Sequence, residues 1–139
     1  MLLHALAIAS GGLPTLYMGD EFGLLNDPGY RHDPARAHDG RWLHRPVMDW
    51  AAASTPEAQR ITADLARLRA ARVASGGRGA ATRLPGLPPA LLGLACGADR
   101  VFLNFSAESV MLPPLPGWRD RLGGDGVALG PWQVGWMGT

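Results

Sequence analysis

The sequence predicts two kinds of structure in chain order: the end of an α/β segment, then a small antiparallel β domain. Three observations carry that expectation. Met1 to Ala9 is an apolar, helix-like run closed by Gly11-Gly12, and the short apolar run Leu13 to Met18 follows it into Gly19-Asp20-Glu21. Thr55-Pro56-Glu57 opens a second helix with a Thr cap, Pro at the first position and an acid in the first turn. From about residue 80, apolar runs at 90–95, 101–105, 109–112, 127–129 and 132–136 alternate with Gly, Pro and Asp clusters. Short strands joined by turns have that pattern.

Taken in order, Leu2, Leu3, Leu6 and Ile8 read as the last turns of a buried helix, and the glycines stop it. No cap residue precedes that helix, which leads us to expect a helix cut in its middle and a truncated chain. Leu13 to Met18, with Pro at its edge and acids at its end, suits a buried parallel strand running into a functional loop. Helix, tight turn, buried strand and loop is the rhythm of a TIM (β/α)8 barrel. Residues 22–55 show neither helical nor strand period, yet Leu24, Leu25, Trp42, Met48 and Trp50 argue against disorder. In the second helix Ile61, Leu65, Leu68 and Arg72 share one face, and Ser75-Gly76-Gly77 ends it. The expected fold class is therefore α/β plus β, with residues 1–77 as the barrel end, residues 78–139 as the β domain, and the boundary within Gly76 to Gly79.

Composition narrows the function classes. The chain has 139 residues, 47% hydrophobic and 18% charged, as a globular protein does. All 13 basic residues are arginine, scattered among 12 acids, so no basic stripe tracks a phosphate backbone and nucleic acid is not an expected partner. The N-terminal run is too short to span a bilayer and has no basic segment before it. We therefore expect no membrane partner and a cytoplasmic location. Cys96 is the single cysteine, set in an apolar run, and reads as a buried structural thiol. No Cys/His spacing suggests a metal, and nothing calls for a cofactor.

Particular segments resemble a known family. Gly12-Leu13-Pro14-Thr15-Leu16-Tyr17-Met18-Gly19-Asp20-Glu21 resembles the signature at the eighth barrel strand of the α-amylase superfamily of glycoside hydrolases and transglycosidases. Leu24-Leu25-Asn26-Asp27 and Asp39-Gly40-Arg41-Trp42-Leu43-His44-Arg45-Pro46 resemble narrower segments of amylosucrases, which make α-1,4-glucan from sucrose. The likeness fades through the second helix and returns weakly at Asn104-Phe105-Ser106 and Pro131 to Trp136. It implies a C-terminal β-sandwich over residues 78–139, a retaining transglucosylase, and sucrose and α-glucan as partners of the full-length enzyme.

The resemblance also implies a site. An arginine in the eighth-strand loop of that family pairs with an Asp from an early barrel loop and closes the glucosyl pocket. Arg41 is the leading position and Arg45 the competitor, because Arg45 to Trp50 also resembles a segment of related α-glucosidases. A guanidinium fork suits the task, since it holds a carboxylate in fixed bidentate geometry. Trp42 is read as either stacking on a sugar or packing the loop. Asp20 and Glu21 leave an expected strand on opposite sides, so we expect a structural role rather than a catalytic pair. His32, His38 and His44 are read as loop residues, and Trp118, Trp132 and Trp136 as core or edge of the β domain.

The nucleophile, the acid/base and the stabilising Asp and His of the resembled family come from earlier strands, so no catalytic residue is expected here and the chain alone is expected to be inactive. Two alternatives stand beside the leading reading. One is a fragment of an α-glucosidase or trehalose-synthase relative. The other is a stand-alone β-sandwich that binds α-glucan, suggested by the shift near residue 80 and the three late tryptophans.

Overall fold

Both helices form where the sequence places them, the first by its glycine stop and the second by its cap and stop. In the computed structural model, which describes residues 1–77 and 79–139, α1 spans Leu2–Ala9. Ser10 Oγ donates to the Leu6 carbonyl at 2.7 Å, and Gly11 then turns the chain at φ 105°. The buried face of α1 is Ala5, Ile8 and Ala9, whereas Leu3 is 70% exposed. The leucines expected to be buried therefore do not form the inner stripe, because the 3.6-residue period runs through the alanines. Helix α2 spans Pro56–Ala74, and Thr55 Oγ1 accepts the Ala58 N–H at 3.2 Å. Its inner face is Ala58, Leu65, Leu68 and Ala71, ending at buried Ser75.

The strand expected between the helices is absent. Residues 13–17 form no ladder, with Leu13 93% and Met18 58% exposed. A parallel strand exists through hydrogen bonds to neighbouring strands, and the described residues give this segment none. The barrel component of the expected fold is thus not seen.

The antiparallel component is. The strands are β1 (Thr82–Arg83), β2 (Leu91–Cys96), β3 (Asp99–Asn104), β4 (Val110–Met111), β5 (Arg119–Asp120), β6 (Ala128–Leu129) and β7 (Val134–Gly138). Five make one sheet in the order β1-β2-β3-β7-β5, and β4 pairs with β6 in a second. All pairings are antiparallel. The register sets Phe102 between Gly93 and Gly135, which leaves room for a large ring on a crowded sheet. Phe102 packs with Leu91, Leu112, Leu129 and Met137 on one face, a burial that contributes about 2–3 kcal/mol for the ring alone. Val101 and Leu103, on the opposite face of β3, are equally buried, and α1 lies against that strand.

Close approaches fasten α2 to the sheet. Arg72 Nη1 donates to Cys96 Sγ at 2.8 Å, and Ser75 Oγ lies 3.7 Å from the same sulfur. Cys96 is buried, as its apolar neighbours predicted. Gly97, at φ 60°, passes so near Ser75 that a Cβ there would overlap the Ser75 carbonyl.

The chain groups into two compact units, Met1–Thr15 with Asp64–Thr139, and Leu16–Ala63. The boundary expected at 77/78 falls beside Arg78, which lies outside the described residues, and residues on both sides of it belong to the first unit.

Candidate functional site

The loop unit, Leu16–Ala63, buries only Gly19, Tyr30 and Ala58, so packing alone does not shape it. Its backbone is shaped by aspartates. Asp27 Oδ1 accepts the N–H of Gly29, Asp33 that of Ala35, Asp39 that of Arg41 and Asp49 that of Ala51, all at 2.9–3.0 Å. Each closes a turn in which the carboxylate replaces a backbone carbonyl. The turns started by Asp27, Asp39 and Asp49 lead into 3₁₀ segments at Pro28–His32, Gly40–Leu43 and Ala52–Ser54. A signal for this was present in the dipeptides Asp27-Pro28, Asp33-Pro34 and Asp39-Gly40. A reading based on hydrophobic period passes over it, because such turns have no period.

Arg41 emerges from the second of these segments. Its Nε lies 2.9 and 3.0 Å from the two Asp39 carboxylate oxygens, and Nη2 donates to Oδ2 at 2.7 Å. The Arg41 guanidinium, then the Arg41 backbone N–H, hold the Asp39 carboxyl well below its usual range, at about 2. The same hydrogen bond raises Arg41. Asp39 is therefore ionised at neutral pH and cannot serve as a general acid.

Arg45 sits differently. Its guanidinium carbon lies 5.4 Å from the Tyr17 ring centroid, a cation–π contact, and among the described residues it pairs with no carboxylate. Trp42 is half-buried, and Arg36 lies over its ring at 5.5 Å while also gripping Asp33 Oδ2 at 2.5 Å. One face of Trp42 is thus used in holding the loop together. Arg41, Trp42 and Arg45 do converge. With Tyr17, Asp39 and Met48 they line an open cleft of about 430 Å³.

The other candidates fall into local roles. Asp20 and Glu21 lie in a 3₁₀ turn, Asp20–Phe22, so the strand alternation used to separate them does not apply. Glu21 Oε2 accepts the Gly19 N–H at 2.8 Å, and the Thr62 hydroxyl donates to the Glu21 carbonyl at 2.8 Å. His44 Nδ1 lies 3.2 Å from Asn26 Oδ1. Among the described residues no group of three or more His, Cys, Asp or Glu is placed to hold a metal. No helix there is long and apolar enough to cross a membrane. The three late tryptophans separate: Trp136 is fully buried, Trp118 packs on the Phe102 cluster, and Trp132 is 57% exposed.

No protein-family profile matches the chain. Among solved structures it is similar to one titled "Putative alpha Amylase from Salmonella typhimurium", at 20% identity and a TM-score of 0.64, over 99% of this chain. It is also similar to the protein Ttha1563 of Thermus thermophilus, at 23% identity and a TM-score of 0.66, over 98% of this chain. The chain spans 30% of the length of each. In fold, it is similar to the portions of these two proteins that it covers.

Proposed function

We propose that these residues work as the C-terminal part of an α-amylase-superfamily enzyme, and more narrowly of an amylosucrase-like retaining transglucosylase that passes glucosyl units from sucrose to α-1,4-glucan. The observation that carries this reading is the cleft where the Asp39-to-Pro46 segment folds two guanidinium groups and an aromatic ring together. Its fold likeness to a protein titled as an alpha-amylase supports the same direction. In this reading the last strand and helices of a (β/α)8 barrel precede a β-sandwich, and the nucleophile and acid/base carboxylates lie outside these 139 residues. Sucrose and α-glucan are partners of the whole enzyme, working in the cytoplasm.

In this reading the two arginines divide the labour. Arg41, the leading candidate from sequence, is already forked onto Asp39 and sets the loop. Among the described residues Arg45 pairs with no carboxylate, which supports reading it as the guanidinium that grips an Asp contributed from elsewhere in the enzyme. The Arg45-to-Trp50 run also keeps an α-glucosidase or trehalose-synthase relative as a second reading.

The test starts from the DNA upstream of Met1. An in-frame segment encoding earlier barrel strands is expected, and a ribosome site at Met1 with no such frame would overturn the proposal. Assays of the encoded whole enzyme on sucrose, maltose and trehalose then separate the readings by the donor consumed. The 139-residue chain alone is expected to release no fructose from sucrose.

A further inference from the structure

Tyr17 and Arg45 reach one cleft from separate, anchored stretches of the loop unit. On the first stretch the Tyr17 carbonyl accepts the Asp20 N–H at 3.0 Å. The Gly19 carbonyl accepts the N–H groups of Phe22 and Leu24 at 3.1 and 3.0 Å, with Gly19 itself at φ 104°. On the second stretch the Leu43 carbonyl accepts the Asp27 N–H at 2.9 Å, and the Arg41 carbonyl accepts the His44 N–H at 3.1 Å. Pro46 further limits the backbone of Arg45. Both backbones are thus fixed by local hydrogen bonds. What they leave to be ordered is the long Arg45 side chain.

A ring face orders it. The Arg45 guanidinium carbon lies 5.4 Å from the Tyr17 ring centroid. An arginine with no such support loses much rotamer freedom when it closes on a partner. A carboxylate supplies support by consuming N–H donors, as Asp39 consumes Nε and Nη2 of Arg41. An aromatic face supplies it through the ring quadrupole and consumes no donor. The planar fork of the guanidinium stays able to form a bidentate pair with a carboxylate. The contact uses the ring, so the phenol hydroxyl is not needed for it.

We propose that Tyr17 is the positioning residue for Arg45, pre-ordering the guanidinium in the cleft while leaving its N–H fork to meet an acidic side chain. The proposal rests on the reading of Arg45 as the pocket guanidinium of a larger enzyme. Tyr17 acts through Arg45 and not on the substrate.

The test is a double-mutant cycle in the whole enzyme, with kcat/KM measured on whichever of sucrose, maltose and trehalose it consumes. Tyr17→Leu should lower kcat/KM about fivefold or more, and Tyr17→Phe, which keeps the ring, should stay within about twofold of the unsubstituted enzyme. Arg45→Ala should lower it further. Adding Tyr17→Leu to Arg45→Ala should cost nothing more, because the ring then has nothing to hold. Losses that multiply in the double variant would overturn the inference, as would a Tyr17→Phe as poor as Tyr17→Leu. Full kcat/KM in Tyr17→Leu beside a crippled Arg45→Ala would overturn it alone and leave the reading of Arg45 standing. Full kcat/KM in Arg45→Ala, or consumption of none of the three donors, would sink that reading and the inference together. NMR of the 139-residue chain gives a readout free of activity. The ring should shift the Arg45 side-chain protons upfield, with the shift lost in Tyr17→Leu and kept in Tyr17→Phe. Unshifted protons in the unsubstituted chain would overturn the inference whatever the enzyme does.

Discussion

Two aspartate–arginine forks in this molecule share their chemistry and differ in almost everything else. Asp39 and Arg41 are two residues apart on a loop, with side chains 24% and 73% exposed. Asp99 and Arg121 are 22 residues apart, and the Asp99 side chain is 1% exposed. Arg121 grips both Asp99 oxygens, at 2.6 and 3.0 Å, and the Trp136 indole N–H donates to Oδ2 at 3.0 Å. The first fork shapes a local turn and is surrounded by water, which screens it. The second joins the start of β3 to the segment after β5 and to β7, where its desolvated carboxylate tolerates no loss of a partner. Geometry alone therefore does not rank an ion pair; burial and chain separation do.

The largest test of that contrast removes the buried partner. Asp99→Ala should cost about 3–5 kcal/mol by urea denaturation, because it strands the Arg121 guanidinium and the Trp136 N–H together. A loss no greater than that of a surface substitution would erase the distinction between the forks. Next comes the turn beside Asp99. Gly97→Ala should cost about 2 kcal/mol, since it combines a left-handed backbone with an overlap against the Ser75 carbonyl. A smaller effect comes from Thr55→Ala, expected at about 1 kcal/mol with fraying of the first turn of α2, visible by amide exchange.

The smallest stability effect is predicted at the exposed fork. Arg41→Ala should leave the urea midpoint in place while the Asp39 carboxyl, followed by NMR, moves up from about 2 toward its usual range. The sign follows from the depression of Asp39. Whatever this pair contributes is fully present above the ordinary carboxylate pKa and is lost as pH falls through about 2. If Asp39 titrates normally in the unsubstituted chain, the fork is not formed in solution.

The same contrast explains what could be read from the amino acids alone. Thr55-Pro56, Ser75-Gly76 and Gly11 mark helix ends through interactions spanning a few residues, so both helices and their boundaries were legible. Apolar runs between turn clusters announced β2, β3, β4, β6 and β7 and their antiparallel class. The two-residue strands β1 and β5 were not legible, because they are defined by the neighbours they pair with rather than by their own composition. Leu13 to Met18 failed in the opposite sense: its composition suits a strand, and no neighbour among the described residues completes it.

At the sites, residue type announced the candidates and the fold assigned their roles. The sequence singles out Arg41, Trp42 and Arg45, and they do line one cleft. Only the structure separated an Arg41 tied to Asp39 from an Arg45 lying on Tyr17. Three late tryptophans with similar apolar neighbours became one core residue, one partly buried flank and one exposed ring held in a glycine's place. What the sequence by itself determined were the features whose physics is local: helix caps, turn-forming aspartates and glycines, and the apolar periods of the longer strands. What only the tertiary structure decided were pairing, burial and the choice among equivalent side chains, because each depends on residues brought close by the fold and far apart along the chain.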